Sequence, residues 1–555
     1  MSVTATGAGM RPIVVWEQPG DEQMFWQQDR MHFPNQLSLL EDDFIKFFYT
    51  EGFSAAAAGY ELPIRPHARR MLTRHYLAIA PLQLSHEELE ELGKRSEKNV
   101  GDAMARQRQR WDTEFLPEVR RMLAEWETFD LQAASDDALL AHWDATLARL
   151  ARLSRIHFDL AIPMLLGLGL FDETYTDLFS AESSLESMRF LQGIPTTTTT
   201  TGQELWRLSR LALAEPAVRS VLESEAAADV VPALERDPAG ATFLAELRAF
   251  LNRYGHRSEL WGLSYPSWIE DPSPAIKMLK DYLSQPERDL VGEMESLATE
   301  RERLTAEARA QLAGYPAQVR EQFEFALAAG QAANYLQEEH GFWIDSYGFD
   351  CVRQVILEVG RRLVAQGVLA ERDDIFHLRF AELRAALADP SSDLRGLVTE
   401  RKAELAAFRD VQAPPVLGTE PPGPPPDNLI FRTMGKFFGA PPPPSDEPGV
   451  LRGAAGSAGS VRGVARVVRS LADAQRLQPG EILVTETTAP AWTPLFASAA
   501  AVVTDTGGVL SHCAVVAREY MIPAVVGTAM ATAVIPDGAT IEVDGAAGVV
   551  RILAD

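Results

Sequence analysis

The chain has 555 residues, a formal net charge of −26 at pH 7 and 46% apolar residues. That is too long for one ordinary core, and at roughly 100–200 residues per domain it predicts two to four domains. The acidic balance excludes a nucleic-acid binder, which needs a basic face, and disfavours attachment to an anionic membrane. The two cysteines, Cys351 and Cys513, stand in no metal-ligand spacing, exclude a disulfide framework and point to a reducing, cytoplasmic setting.

The opening residues MSVTATGAGMRP lack the charged-then-apolar order of a secretory signal. Residues 1–410 read as a large, mainly α-helical domain. Apolar residues recur at three- and four-residue spacing in segments 136–155, 205–224, 300–312, 317–339 and 352–366. Ser135 stands ahead of the first of these as an N-cap, with Asp136 and Asp137 in its first turn. The apolar run 158–171 contains Asp159 and Pro163, is too short to span a bilayer, and reads as buried core. Six threonines at 196–201 predict a loop or extended segment, because β-branched residues lose rotamer freedom in a helix. Strand-like alternation is scarce throughout this region.

Residues 411–449 carry repeated prolines, including Pro441-Pro-Pro-Pro444, and predict a semi-rigid linker. Residues 450–555 are rich in Gly, Ala and Val. Short apolar runs at 461–468, 481–484, 500–503, 524–526, 541–543 and 549–553 predict strands, and 471–476 and 512–520 predict helices. Together they describe a compact α/β domain.

The chemistry concentrates in Thr504-Asp-Thr-Gly-Gly-Val-Leu-Ser-His-Cys-Ala-Val-Val-Ala-Arg-Glu519. This stretch sets His512 behind a glycine pair and at the head of a short amphipathic helix. Free N–H groups and a positive dipole end suit a bound phosphate there, and an imidazole so placed can carry a phosphoryl group covalently. Gly507 and Gly508 give that group room. Thr506 and Ser511 either donate to phosphate oxygens or cap the helix. Arg518, near the far end of the helix, either reaches the phosphate or makes a surface ion pair. Cys513 reads as small buried filler.

An ordered series carries a family resemblance: Gly463-Val-Ala-Arg-Val-Val468, Pro479-Gly-Glu-Ile-Leu-Val484, Thr488-Ala-Pro-Ala-Trp-Thr-Pro-Leu-Phe496, the His512 stretch, Ile522-Pro-Ala-Val-Val-Gly527, and Asp537-Gly with Val543-Asp-Gly and Gly548-Val. Over residues 453–553 it resembles the mobile phosphohistidine domain of the PEP-utilising enzymes. The resemblance implies a swivelling β/β/α unit at 450–555 whose His512 is phosphorylated. Trp26-x-x-Asp29-x-x-His32-Phe-Pro34, Leu191-Gln-Gly-Ile-Pro195, Tyr254-Gly-His-Arg-Ser-Glu259, Pro266-Ser-Trp-Ile-Glu-Asp-Pro272 and Asp373-Asp-Ile-Phe-His-Leu378 resemble the helical acceptor-binding domain of rifampicin-phosphotransferase-type enzymes. In this chain Glu259 follows Arg257 by only two positions, a departure from that family's spacing.

Full-length family members also carry an ATP-grasp domain. No counterpart is visible here, so the resemblance implies a separate ATP-grasp subunit that binds ATP and Mg²⁺, as in phenylphosphate and 4-methylbenzyl phosphate synthases. The expected function is the phosphohistidine-carrying subunit of a two-component phosphotransferase acting on a phenolic or benzylic hydroxyl in aromatic-compound catabolism. Acceptor-site candidates are His256, Arg257, Glu259 and Trp261 in the Tyr-Gly turn, and His340, Trp343 and Asp345 in a second cluster. Arginine suits phosphate oxygens, indole faces suit a flat acceptor, and His340 or Asp345 suits removal of a hydroxyl proton. No metal-ligand set is expected on this chain. Three other readings stand beside this one: a rifamycin-type antibiotic phosphotransferase component; a PEP-dependent transferase, whose TIM barrel needs strand–helix repeats that residues 1–410 do not show; and a non-catalytic regulator.

Overall fold

Helix-forming periodicity dominates the N-terminal three-quarters of the chain, and a computed structural model bears it out over residues 14–553, with Pro425, Pro444 and Asp446 outside the described residues. The start of the chain and those two prolines of the linker lie outside that description. Two compact units form. The first comprises Met1–Ile162, Trp261–Ser264 and Trp343–Pro425; the second comprises Pro163–Leu260, Tyr265–Phe342 and Pro426–Asp555.

The longest helix, Asp136–Phe179, starts at Ser135, whose hydroxyl accepts from the Ala138 N–H at 3.2 Å. Leu150, Leu153, Ile156, Leu160, Met164, Leu168 and Phe171 are all buried along one of its faces. It is long and apolar enough to cross a membrane by length and composition, but 56% of its most apolar window is covered inside the fold.

Three expectations are corrected. The segment 205–224 is two helices, Thr197–Ala214 and Pro216–Ser224. Pro216 drives Glu215 out of the helical region (φ −113°, ψ 101°) and starts the second helix where its missing N–H does no harm. The threonine run is no loop but the first turn of the helix Thr197–Ala214. Thr196 caps it by accepting from the Thr199 N–H, while the Thr199 hydroxyl accepts from the Thr196 N–H at 3.0 Å. The Thr201 hydroxyl donates to the Thr197 carbonyl at 2.7 Å. These hydroxyls supply bonding partners at the helix start, which offsets the β-branch penalty.

Thirdly, the first unit holds a four-stranded antiparallel sheet in the order Ile64–Met71, Arg74–Pro81, Phe25–Gln28, Val416–Gly418. Arginines and histidines on its strands hid the alternation. Its hairpin turn, Leu72–Thr73, takes two positive φ angles (51° and 61°) with neither Gly nor Asn to announce it. The proline-rich segment thus contributes one strand to this sheet and also forms a helix, Leu429–Phe438, which Asn428 caps.

The second unit contains an eight-stranded mixed sheet: Val450–Arg452, Val549–Ile552, Thr540–Asp544, Ser460–Val467, Ile482–Thr485, Ala501–Thr504, Ala524–Val526, Ala454–Ser457. Ser460–Val467, Ile482–Thr485, Ala501–Thr504 and Ala524–Val526 run parallel in its middle. One continuous core joins Leu205, Leu247, Met278 and Tyr282 of the helices to Leu483, Trp492, Phe496, Val516 and Tyr520 of the C-terminal region.

Candidate functional site

The strand Ala501–Thr504 ends in a loop that feeds the helix His512–Glu519, so His512 sits at the carboxyl end of a parallel strand and at a helix N-terminus. Ser511 occupies the N-cap position with extended backbone, yet its side chain makes no capping bond. Its hydroxyl is buried with no partner among the described residues. The imidazole is held from both sides within the second unit. His512 Nδ1 lies 3.1 Å from Glu338 Oε1, and Nε2 lies 3.3 Å from the Thr493 hydroxyl. Burial works to raise the Glu338 pKa, but the charge and hydrogen bond of His512, helped by Arg257, hold it below the usual glutamate value. An ionised carboxylate only accepts, so in the neutral ring the bond fixes the proton on Nδ1 and leaves the lone pair on Nε2.

Arg257 lies in the same unit, 1% exposed, with one guanidinium nitrogen donating to the Thr201 hydroxyl at 3.2 Å and its plane over Phe342 at 4.8 Å. Its Nε and Nη1 have no partner among the described residues. Burial lowers its pKa to about 10 against the opposing charges of Glu338 and Glu339. A buried guanidinium with two unused donors is a site that calls for an anion. A narrow cleft lined by Thr196, Thr198, Asn334, Glu338, Thr493 and Tyr520 includes both side chains that hold the His512 ring.

The remaining expected phosphate-supporting residues do other work. Thr506 donates its hydroxyl to the Glu486 carbonyl at 3.0 Å. The space beside Gly507 and Gly508 is filled by the chain itself. Gly508 donates its N–H to the Phe437 carbonyl and Leu510 donates to Lys436, both at 2.9 Å, and a Cβ on Gly508 would lie 2.2 Å from the Lys436 oxygen. The helix Leu429–Phe438 that presents these carbonyls is pinned by Lys436 to Asp172 and by Arg432 to Glu173. Arg518 makes no surface ion pair among the described residues. It is buried and donates to the Gly456 and Val509 carbonyls at 2.9 Å. Cys513 is buried filler, its thiol pushed up to about 12 by burial.

The acceptor candidates divide between the units. His256, Arg257, Glu259 and His340 belong to the second; Trp261, Trp343 and Asp345 belong to the first. His256 is buried. The Glu259 carboxylate accepts from the Leu471 N–H at 2.9 Å, and its carbonyl accepts from the Trp492 indole at 2.9 Å. The His340 ring donates to the Leu336 carbonyl of its own helix at 2.6 Å. In the first unit Trp343 stacks near Tyr347 under the Arg120 guanidinium. Trp261 sits among aromatic rings, and Asp345 pairs with His157 at 2.9 Å.

Glu338 and Thr493 escaped assignment from sequence. Thr493 lies inside the quoted Thr488–Phe496 motif, so a signal existed; Glu338 is brought to His512 across 174 residues by tertiary packing alone.

The rifampicin phosphotransferase fourth domain matches residues 167–338, and the mobile domain of PEP-utilising enzymes matches residues 477–548. Chondramide synthase of Chondromyces crocatus is 38% identical over 552 residues, 97% of this chain and 14% of that protein. An uncharacterised phosphotransferase of Bacillus subtilis is 29% identical over 404 residues, 72% of this chain and 47% of its own length. A rifampicin phosphotransferase of a Streptomyces species is 34% identical over 369 residues, 64% of this chain and 39% of its own. The chain spans less than half the length of each of these relatives. The matched segments contain Arg257 and His512 respectively, so over them the chain is similar to rifampicin phosphotransferases and to the mobile domain of PEP-utilising enzymes.

Proposed function

We propose that this chain is the phosphohistidine-carrying, acceptor-binding component of an ATP-dependent phosphotransferase. Phosphoryl enters at His512 Nε2 and leaves to the hydroxyl of an organic acceptor, phenolic or benzylic in class. The single observation that carries the reading is the Glu338–His512–Thr493 arrangement, in which a buried carboxylate fixes the proton on Nδ1 and aims Nε2 as the nucleophile. Phosphoryl transfer depends on positioning and on charge stabilisation around a loose transition state. The orphaned donors of Arg257 suit the equatorial phosphate oxygens. The donor in this proposal is an ATP-grasp subunit with ATP and Mg²⁺, working with this chain in the cytoplasm.

Mixing the purified chain with radiolabelled ATP, Mg²⁺ and an ATP-grasp partner should label His512, and His512→Ala should abolish the label. Turnover of an alcohol by the chain and ATP alone would overturn the two-component arrangement. A second reading, an antibiotic phosphotransferase, rests on relatives named rifampicin phosphotransferase. Raised rifampicin resistance in cells expressing the chain with such a partner would favour it.

A further inference from the structure

In the first unit, two aspartate–histidine pairs flank one indole. His157 Nδ1 meets Asp345 Oδ1 at 2.9 Å, and His32 Nδ1 meets Asp29 Oδ2 at 2.8 Å, while the second Asp29 oxygen accepts the His32 backbone N–H at 3.0 Å. The Trp261 ring centre lies 5.9 Å from His32 and 6.2 Å from His157. Trp261 is wedged by Phe33, Phe44, Phe48 and Phe349 at 5.0–5.9 Å, so its ring is fixed, and the residue as a whole is only half-buried. The backbone under it is fixed as well. Glu41 accepts the Leu263 and Ser264 N–H groups at 2.7 and 2.5 Å, and Arg353 donates to the Leu263 carbonyl at 2.8 Å. The side chains of His32, His157 and Asp345 retain 31%, 14% and 11% exposure.

Burial works against protonation of His32, but the Asp29 charge and hydrogen bond, with the Asp345 charge, hold its pKa above the ordinary histidine value. Asp29 is correspondingly held down to about 2 despite burial. At His157 the Asp345 carboxylate fixes the proton on Nδ1 and puts the lone pair on Nε2, the arrangement of a general base.

We propose that this cluster is the acid–base and binding site for an aromatic hydroxyl acceptor, with the ring of the acceptor against Trp261, His157 Nε2 as general base and His32 as the cationic partner of the reacting oxygens. It rests on the reading of His512 as carrier. In the transfer step the Nε2–P bond of phospho-His512 breaks as an O–P bond forms to the acceptor. The imidazole keeps the electron pair of the broken bond, and the hydroxyl proton passes to His157 and then to solvent. Asp345 and Asp29 act as positioning residues.

The experiment uses the full chain phosphorylated on His512 with phosphoramidate, which bypasses ATP, and follows single-turnover transfer to phenol and to the more acidic 4-nitrophenol. His157→Gln should slow transfer to phenol by about 100-fold. Transfer to 4-nitrophenol, already largely ionised, should change by less than about threefold, with loading of His512 and melting temperature unchanged. Equal slowing of both acceptors, or of neither, would overturn the assignment, and so would a wild-type phosphorylated chain that transfers to neither. Asp345→Asn provides a second variant that should show the same dependence on acceptor acidity, more weakly. Failure to label His512 at all would instead sink the carrier reading, and this one with it.

Discussion

The imidazole proposed to carry phosphate is held differently from the two at the proposed acceptor site. His512 makes two long polar contacts, 3.1 Å to Glu338 and 3.3 Å to Thr493. His32 and His157 are each held by a short contact to an aspartate, 2.8 and 2.9 Å, beside aromatic rings. A group that hands over its cargo gains from holds that release easily, whereas an acid or base gains from a fixed tautomer and ring angle. The carboxylate partner serves both purposes, since it decides which nitrogen bears the proton.

Replacing His512 with alanine breaks that comparison outright. Phosphorylation and transfer should both fall to background, a loss of at least about 10⁴-fold, read as label incorporation. Glu338→Gln should leave the chain folded but free the Nδ1 tautomer. Single-turnover transfer should drop by about 10²-fold, and a variant as fast as wild type would remove the carboxylate from the mechanism.

Gly508→Ala tests the hold on the loop rather than the ring. Its new Cβ would fall 2.2 Å from a backbone oxygen of Lys436, which no rotamer can relieve. Thermal unfolding should reveal a destabilisation of about 1–3 kcal/mol. An unchanged melting temperature would mean that the helix Leu429–Phe438 does not rest on the loop.

The smallest expected effect is at Glu519, whose carboxylate accepts the Gly193 N–H at 3.1 Å. Burial pushes its pKa up to about 7, with the Glu338 charge adding to the rise and the Gly193 N–H and Arg518 opposing it. The folded state therefore binds this proton more tightly than the unfolded state. Its stabilising contribution is complete below the ordinary glutamate value of 4.5 and is lost as pH rises through 7. Glu519→Gln should remove on the order of 1–2 kcal/mol of pH dependence between pH 4.5 and 8 and should be the more stable protein at pH 8. Parallel stability–pH curves for variant and wild type would show that Glu519 is not the titrating group.

Much of the C-terminal architecture was legible. The runs at 524–526 and 541–543 are strands, and the helix His512–Glu519 begins at the residue its pattern indicated. Short apolar runs between glycine turns have few other ways to fold, and a helix start is written in local sequence. The hairpin Ile64–Met71 with Arg74–Pro81 was illegible because its turn uses Leu72 and Thr73 in place of glycine or asparagine. The threonine helix was misread because a capping box built from two threonines overrides the intrinsic preference of the residue. For Arg518 the sequence left open a phosphate contact or a surface ion pair, since nothing local reveals that Gly456 and Val509 will offer it carbonyls.

The sequence by itself determined the chain's family resemblance and the identity and helix-start position of His512, because glycines, caps and apolar spacing act within a few residues of one another. Only the tertiary structure decided which carboxylate faces that ring, that Arg257 keeps two donors unpaired among the described residues, and that His157 and Asp345 meet across 188 residues. Such pairings follow from packing between distant segments, where burial and distance set the chemistry, and no local pattern encodes them.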